Sequence, residues 1–222
     1  MSETDEDLGR LVGPPRPVER ARLAVAAETA ASELLGLLLV RDDPTADTGR
    51  IVARIVETEA YHQADPASHS HRGRTARAEP MFWQPGTAYV YRSYGVHWCL
   101  NVSVEPAGIG AAVLLRAAVV LEGADAVMAR RRGDRRPHEL LRGPGNLSAG
   151  LDLDGPRHDS GDLIGSVAGL RLADDGWRPA PERIACGPRV GVSAAADRPW
   201  RRYLHDVRAV SAYRRSPRAR TP

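Results

Sequence analysis

The stretch that decides the fold is residues 49–61, with the sequence GRIVARIVETEAY. Its β-branched residues and its length predict a long β-strand. Side chains two positions apart on a strand project to the same face, so Glu57, Glu59 and Tyr61 should lie together. This face is either an ordinary solvent-exposed surface or a site where a carboxylate acts as general base beside an aromatic ring.

Further strands follow this one along the chain, with few helices between them. Strand-like patterns cover residues 37–41, 88–92, 96–103, 111–120, 169–173, 189–192 and 201–204. Helices are predicted for residues 18–35, 122–132 and 138–151, the last interrupted at Gly143-Pro144-Gly145. This order favours an α+β fold: a single domain with a curved, largely antiparallel β-sheet and surrounding helices.

The two ends of the chain differ in composition from its middle. Residues 1–17 begin with an acidic run and continue into a segment rich in Gly and Pro, so we predict that they are disordered. The basic residues 211–222 are predicted to form a disordered tail. Residues 18–210 then make one folded domain, whose size supports a single well-buried core.

Composition argues against several functional classes. No uninterrupted apolar run in the 222 residues approaches the roughly 18 to 20 residues that a membrane span needs. The acidic first residues argue against a secretion signal. Cys99 and Cys186, the only cysteines, provide neither a disulfide framework nor a zinc cluster. We therefore expect a cytoplasmic protein that needs no cofactor and no metal and binds no membrane.

All 31 basic residues are arginine, although the formal net charge is only +3. Arginine grips phosphate with two parallel donors, and it is clustered at residues 130–132, at Arg135-Arg136 and in the tail. Each cluster alone is typical of a solvated face, but together they favour an anionic polymer as the partner. Binding to such a partner should weaken steeply with salt.

A polar segment without periodicity, residues 62–80, follows the long strand and is too long for a simple connection. Its histidines, His69 among them, lack the spacing of a helical metal pair and have no cysteine nearby, so we expect no metal site. Its arginines Arg72, Arg74 and Arg77 are suited to contact phosphates, unless the segment is only a solvated loop.

Tyrosines are concentrated in the same part of the chain. Tyr89 and Tyr91 share a strand face, and Tyr94 precedes Gly95 as at the tip of a hairpin. These rings either pack in the core with their hydroxyls satisfied or stack on nucleobases. In the second case Tyr94 could act as a wedge inserted into a base step.

Two polar residues interrupt strands that are otherwise apolar. Arg116 lies within residues 111–120, where a buried charge needs a partner. That partner is either part of a structural ion pair or a carboxylate of the site, such as Glu59. Asn101 occupies a similar position and must also find hydrogen-bond partners.

In their order and spacing, these segments resemble the alkyladenine (3-methyladenine) DNA glycosylases, the mammalian type that also occurs in bacteria. The resemblance runs from about residue 34 to residue 203, and its most specific segments are VETEAY at residues 56–61 and YVYRSYG at residues 89–95. The others are DPASH at 65–69, RGRT at 72–75, PGTAYVY at 85–91, YGVHWCLN at 94–101, VLLRA at 113–117, GPGNL at 143–147 and RVGV at 189–192. Three positions depart from the family pattern: Ala76, Ala78 and Asn146 stand where Pro, Asn and, in many members, Lys are expected.

The resemblance implies roles for the catalytic and pocket residues. Glu59 would deprotonate the water that attacks the sugar carbon, and Arg116 would help to hold that water and the carboxylate. Tyr61, His69 and Tyr91 would form the walls of a base pocket by stacking on the flipped purine and hydrogen-bonding to it.

The resemblance also implies how a damaged base is extruded and selected. Tyr94 would enter the minor groove and fill the gap that the extruded nucleotide leaves in the stack. Asn101 would lie at the pocket floor and obstruct the amino group of normal guanine. Flipping costs roughly a few kcal/mol and is cheapest for a base that pairs poorly.

The implied activity is that of a monofunctional DNA glycosylase in base excision repair, acting as a monomer on double-stranded DNA that contains damaged purines. The substrates would be of the 3-methyladenine, 7-methylguanine, hypoxanthine and ethenoadenine class. Because the chain contains no lysine to form a Schiff base, we expect base excision without strand cleavage. Two other classes stay open from the residues alone: a non-catalytic damage-recognition protein, and a nucleoside or glycoside hydrolase that uses Glu57 and Glu59.

Overall fold

The computed structural model describes residues 8–131 and 133–219. Its strands are β1 Arg16–Pro17, β2 Leu38–Asp42, β3 Arg50–His62, β4 Ala88–Ser93, β5 His97–Ser103, β6 Ala111–Glu122, β7 Leu170–Asp174, β8 Ile184–Gly187 and β9 Arg201–Leu204. Its α-helices are α1 Ala27–Glu33, α2 Ala124–Arg131, α3 Pro144–Gly150 and α4 Gly155–His158. Single 3₁₀ turns occur at Arg20–Leu23, His69–Arg72, Glu79–Phe82, Pro137–Glu139 and Pro181–Arg183.

Strand β3 is the centre of the sheet because its 13 residues are long enough to pair with three strands. β2 pairs with residues 50–54 of β3, β9 pairs with residues 57–59, and β6 follows nearly the whole strand. The order across the sheet is β1-β7-β2-β3-β6-β5-β4, with β8 joined through β9. Every pairing between these strands is antiparallel, which confirms the α+β prediction.

Both faces of β3 are covered, because residues 51–60 are all buried. Helix α1 packs on this strand through Ala27, Ala30 and Ala31, whose small side chains are fully buried. Helix α3 packs on β5 and β6. No helix within the described ranges is long and apolar enough to cross a membrane.

The single helix predicted for residues 18–35 is wrong. The chain forms a 3₁₀ turn at Arg20–Leu23 and starts α1 only at Ala27, after extended backbone at Ala26. The side chain of Glu105 accepts a hydrogen bond from the Ala27 amide at 3.0 Å and so satisfies one free donor at this helix start. A tertiary contact therefore overrides the helical propensity of the alanine-rich segment. Residues 138–151 are likewise helical only in part, because Gly143 adopts φ +90° immediately before α3.

The N-terminal segment also differs from the prediction of disorder for residues 1–17. Residues 1–7 lie outside the described part of the chain, but Leu8 is buried and β1 pairs with β7. The buried Arg54 explains this order, since it donates to the carbonyls of Leu8 at 3.4 Å and Arg10 at 2.8 Å. In the predicted C-terminal tail, residues 220–222 fall outside the described ranges.

The strand predicted at residues 189–192 is also wrong. The amide of Val190 donates to the side chain of Glu59 at 2.7 Å, and the amide of Gly191 donates to the carbonyl of Arg214 at 2.9 Å. These groups therefore do not enter a strand ladder. The sheet is extended instead by β8, a strand that the sequence did not predict, which pairs with β9.

Candidate active site

The two carboxylates of β3 and the arginine of β6 meet at an irregularity in the sheet. The register between β3 and β6 shifts on both sides of Glu57, and the pairing skips Val56 on β3 and Arg116 on β6. Such bulges re-aim side chains. Here Arg116 donates from Nε to Glu57 Oε1 at 3.0 Å, and its NH1 lies 3.3 Å from Glu59 Oε1. Glu57 and Glu59 are fully buried, so this strand face is not exposed to solvent.

Glu57 is fully engaged in holding its neighbours. Arg201 donates to its Oε1 at 2.8 Å, the Ser211 amide donates to Oε2 at 2.9 Å, and the Ser211 hydroxyl lies 2.8 Å from both oxygens. Together with Arg116, these donors occupy both carboxylate oxygens. Glu57 therefore serves to orient Arg116 and is poorly placed to accept a proton from a substrate.

Glu59 is also held by three donors, of which it shares only Arg116 with Glu57. The Tyr61 hydroxyl donates to its Oε2 at 2.8 Å, and the Val190 amide and Arg116 approach its Oε1. Burial, and then the negative charge of Glu59, raise the pKa of Tyr61 well above its usual value, so this hydroxyl stays protonated and donates. Burial alone would lower the pKa of Arg116, but Glu59 and Glu57 outweigh it and raise the pKa.

Tyr61 also lines a cleft of about 360 Å³ that contains most of the predicted site. The predicted pocket and wedge residues all line this cleft: Tyr61, His69, Tyr91, Tyr94 and Asn101. Tyr89, Met81 and residues 66–67 and 191–194 complete it. Glu59 is not among the lining residues, because it lies directly behind the hydroxyl of Tyr61.

One wall of the cleft is an aromatic cluster formed by His69, Tyr89 and Tyr91. The rings of Tyr89 and Tyr91 lie 5.4 Å apart, which confirms that they share a strand face. His69 hydrogen-bonds to the Tyr89 hydroxyl at 2.8 Å and meets Tyr91 edge to face at 4.7 Å. Partial desolvation by the cleft walls, and then the charge of Arg77, lower the pKa of His69 to about 4. This imidazole is therefore uncharged at neutral pH.

Asn101 lies on β5 at the buried end of the cleft, with 4% of its surface exposed. Its Nδ2 donates to the carbonyls of Tyr89 at 2.9 Å and Cys99 at 3.4 Å. These bonds supply the partners that a polar residue in a buried strand requires. They also fix the orientation of its amide relative to any group in the cleft.

Tyr94 stands at the tip of the hairpin that joins β4 and β5, as predicted. Its side chain is 93% exposed, although it borders the cleft. The turn places Tyr94 at φ +48° and Gly95 at φ +70°, in the left-handed region that a bulky residue rarely adopts. The result is an aromatic ring projecting from a short, defined turn.

The three arginines predicted to contact phosphates have different environments. Arg72 is exposed. Arg74 is paired with Glu79 at 2.9 Å and lies over the ring of Phe82. Arg77 lies 5.2 Å over the ring of Tyr91 and lines a second opening beside the cleft. Within the described residues, no group of three or more His, Cys, Asp or Glu is placed to hold a metal ion.

Two groups that hold Glu59 and Tyr61 in place were not predicted from the sequence. Arg189 is fully buried, donates to the Ala60 carbonyl at 3.0 Å and to Asp65, and lies 4.6 Å over the ring of Tyr61. Its neighbour Val190 acts through a backbone amide, for which a sequence carries no signal. Arg189 itself was recognisable only as a member of the RVGV segment, with no role attached to it.

Comparison with known proteins identifies the family of this chain. A family model described as methylpurine-DNA glycosylase (MPG) matches residues 21–208. A protein of Rhodococcus jostii named as a 3-methyladenine DNA glycosylase is 47% identical over 211 residues, covering 91% of this chain and 87% of its own. Proteins of the same name from Nocardia farcinica and Mycobacterium tuberculosis H37Rv are 48% and 46% identical, covering 89% of this chain and 92% and 94% of their own. The chain belongs to the methylpurine-DNA glycosylase family and is a DNA N-glycosylase, a hydrolase of N-glycosyl bonds.

Proposed function

We propose that this enzyme is a monofunctional glycosylase that flips an alkylated or deaminated purine into the cleft and hydrolyses its N-glycosidic bond with a water activated by Glu59. One observation carries the proposal: Tyr61 both lines the cleft of about 360 Å³ and donates to the buried carboxylate of Glu59 at 2.8 Å. The wall of the base cleft is thus one hydrogen bond from a carboxylate that can take a proton from water.

The chemistry follows from these positions. The water oxygen forms a bond to C1′ of the sugar, the bond from C1′ to the purine nitrogen breaks, and its electron pair passes to the purine. Glu59 accepts the proton of the water. Arg116, which is itself oriented by Glu57, holds the Glu59 carboxylate in place. A cationic alkylated purine leaves as a neutral molecule, whereas a neutral purine must also gain a proton. His69, with a pKa of about 4, is a poor source of that proton at neutral pH.

The cleft is suited to a flat aromatic guest. Tyr61 and Tyr91 offer ring faces on which a purine can stack, and His69 and Asn101 offer polar atoms for its edge. We assign Asn101 to the discrimination against the amino group of normal guanine, because its amide is fixed by two backbone carbonyls.

Tyr94 and the arginines around the cleft are assigned to the duplex. The exposed ring of Tyr94 is placed to fill the gap in the base stack. All three loop arginines are exposed, and Arg72 is the best candidate for a phosphate contact because Arg74 is engaged by Glu79 and Arg77 lies over Tyr91. We propose that the enzyme acts as a monomer on duplex DNA at the nucleoid.

The hydrolase alternative that uses Glu57 and Glu59 as a carboxylate pair is disfavoured. Both oxygens of Glu57 are occupied by Arg116, Arg201 and Ser211, none of which lines the cleft, whereas Glu59 is hydrogen-bonded to the cleft residue Tyr61.

The test is base release under single-turnover conditions from end-labelled duplexes that carry hypoxanthine, ethenoadenine or 7-methylguanine. Each sample is divided and analysed with and without hot alkali. We expect strand breaks at the lesion only after alkali, because the chain has no lysine to cleave the abasic site. Breaks without alkali would contradict the monofunctional assignment, and no breaks in either half would contradict glycosylase action on these lesions.

A further inference from the structure

Both tyrosine walls of the cleft carry a guanidinium group over one ring face. Arg189 lies 4.6 Å over Tyr61, and Arg77 lies 5.2 Å over Tyr91. The charge of Arg189 is compensated by Asp65, to which it is directly paired. Arg77 has no carboxylate partner within salt-bridge distance among the described residues, so its positive charge at the cleft is uncompensated.

Arg77 lies beside the base cleft, in an opening that shares three lining residues with it. His69, Tyr91 and Tyr94 line both the cleft and a second opening of about 520 Å³, whereas Arg77 lines only the second opening. A purine that stacks on the face of Tyr91 opposite Arg77 would be separated from this guanidinium by the tyrosine ring. With 5.2 Å between the guanidinium and the ring centre and one further stacking distance, the two would be about 9 Å apart.

We propose that Arg77 is a specificity-determining residue that favours neutral purine lesions, such as hypoxanthine and ethenoadenine, over cationic ones, such as 7-methylguanine. This inference rests on the proposed function, and it assigns to one side chain a preference between two chemical classes of substrate.

The physical reason is the sign of the charge on the base. A cationic purine is attracted to an electron-rich tyrosine face. At Tyr91, however, Arg77 already makes this cation–π contact, and its positive charge repels a second cation. A neutral purine suffers no such repulsion. When its glycosidic bond breaks, the electron pair passes to the purine, and a nearby positive charge stabilises the developing anion. Relative to free enzyme and DNA, both effects therefore favour the neutral lesion.

The size of the effect follows from Coulomb's law. Two unit charges about 9 Å apart at a partly solvated site interact enough to change a rate ratio by about threefold to tenfold. We therefore expect removal of the charge to raise the ratio of kcat/KM for 7-methylguanine to kcat/KM for ethenoadenine by that factor.

The experiment is a competition assay with both lesions in one tube, in identical sequence context and on duplexes of different length. The ratio of initial rates then gives the ratio of kcat/KM directly and does not depend on how much of a variant is folded. The variants are Arg77→Met, which removes the charge at similar length, and Arg77→Lys, which keeps it. Arg72→Met is the matched control, because it removes the same charge from an exposed position in the same loop.

We expect the ratio to rise in Arg77→Met and to stay near the wild-type value in Arg77→Lys and Arg72→Met. An unchanged ratio in Arg77→Met would overturn the inference. If that variant instead releases both lesions more slowly by the same factor, with a salt dependence reduced by about one unit, Arg77 contacts a phosphate and does not select substrates. If the wild type releases neither lesion, the proposed function itself fails.

Discussion

Replacing Glu57 by Gln should destabilise the protein strongly, although the two side chains have nearly the same shape. In the folded protein Glu57 Oε1 accepts from Arg116 at 3.0 Å and from Arg201 at 2.8 Å, and Oε2 accepts from the Ser211 amide at 2.9 Å. A glutamine amide supplies a donor at one of these two positions, where it would face another donor. The substitution also removes the negative charge between two buried guanidinium groups.

The magnitude follows from the partners that remain. Removing one member of a buried ion pair costs about 3 to 5 kcal/mol, because the other charge is left uncompensated. Arg116 keeps Glu59 at 3.3 Å, and Arg201 keeps the carbonyl of Ser211 at 2.6 Å. We therefore expect the low end, a loss of about 3 kcal/mol in the free energy of unfolding. For a chain of this size, that loss corresponds to a fall in Tm of roughly 6 to 12 °C.

The assay is urea unfolding followed by circular dichroism, with Glu122→Gln as the matched control. Glu122 is paired with Arg50 at 2.7 Å, but their side chains are 23% and 39% exposed, so this pair is screened by solvent. We expect the control to lose less than about 1 kcal/mol. If Glu57→Gln loses no more than Glu122→Gln, then Glu57 does not hold Arg116 and Arg201 in the way described.

Two further predictions concern the cleft. Tyr94→Ala should leave Tm unchanged, because the side chain is 93% exposed. It should slow base release from duplex DNA by about 5-fold to 150-fold, which corresponds to the loss of one stacking contact. An equal slowing on single-stranded substrate would refute the wedge assignment. The pKa of His69, about 4 in the folded protein, lies below the value of about 6.5 expected in the unfolded chain. As the pH falls from 6.5 toward 4, the unfolded chain takes up a proton before the folded one, so the wild type should lose stability relative to His69→Gln over this window. NMR titration of the His69 ring checks the premise directly, and a midpoint near 6.5 would contradict it.

Local sequence patterns were sufficient to predict those features that depend on a single strand or a single turn. The β-branched side chains in the stretch 49–61 predicted β3, and the Tyr94-Gly95 pair predicted the hairpin tip. The prediction that Glu57, Glu59 and Tyr61 share a face follows from the two-residue period of a strand. The contact of Arg116 with both carboxylates agrees with it.

The predictions failed where contacts distant in sequence decide the local structure. Residues 18–35 are divided because Glu105, 78 positions away from Ala27, caps α1. Residues 8–17 are ordered because Arg54 binds their carbonyls. Residues 189–192 have a strand-like composition, but the amide of Val190 donates to Glu59 across 131 positions of sequence. None of these partners can be identified from a local pattern.

The residues that hold Glu57 in the candidate site could not be predicted from local patterns either. Arg201 and Ser211 join Glu57 across 144 and 154 positions, and both lie in segments whose composition suggests only a strand and a tail. The charge of Arg116 inside an apolar run did indicate that a buried acid must exist. It did not indicate that two carboxylates would share this arginine, since that depends on the register shift at Glu57.

The role of Glu59 in activating the water is tested most directly by single-turnover release of ethenoadenine. The rate is measured for the wild type and for Glu59→Gln, and the affinity of each protein for the same duplex is measured alongside. Unlike Glu57, Glu59 pairs with only one arginine, Arg116, which keeps Glu57 at 3.0 Å, so the substitution should cost stability but leave the protein folded, and duplex binding checks this. We expect Glu59→Gln to bind the damaged duplex with an affinity near that of the wild type but to release the base more slowly by a factor of about 10² to 10⁴. Release at the wild-type rate by a variant that binds normally would contradict this role of Glu59.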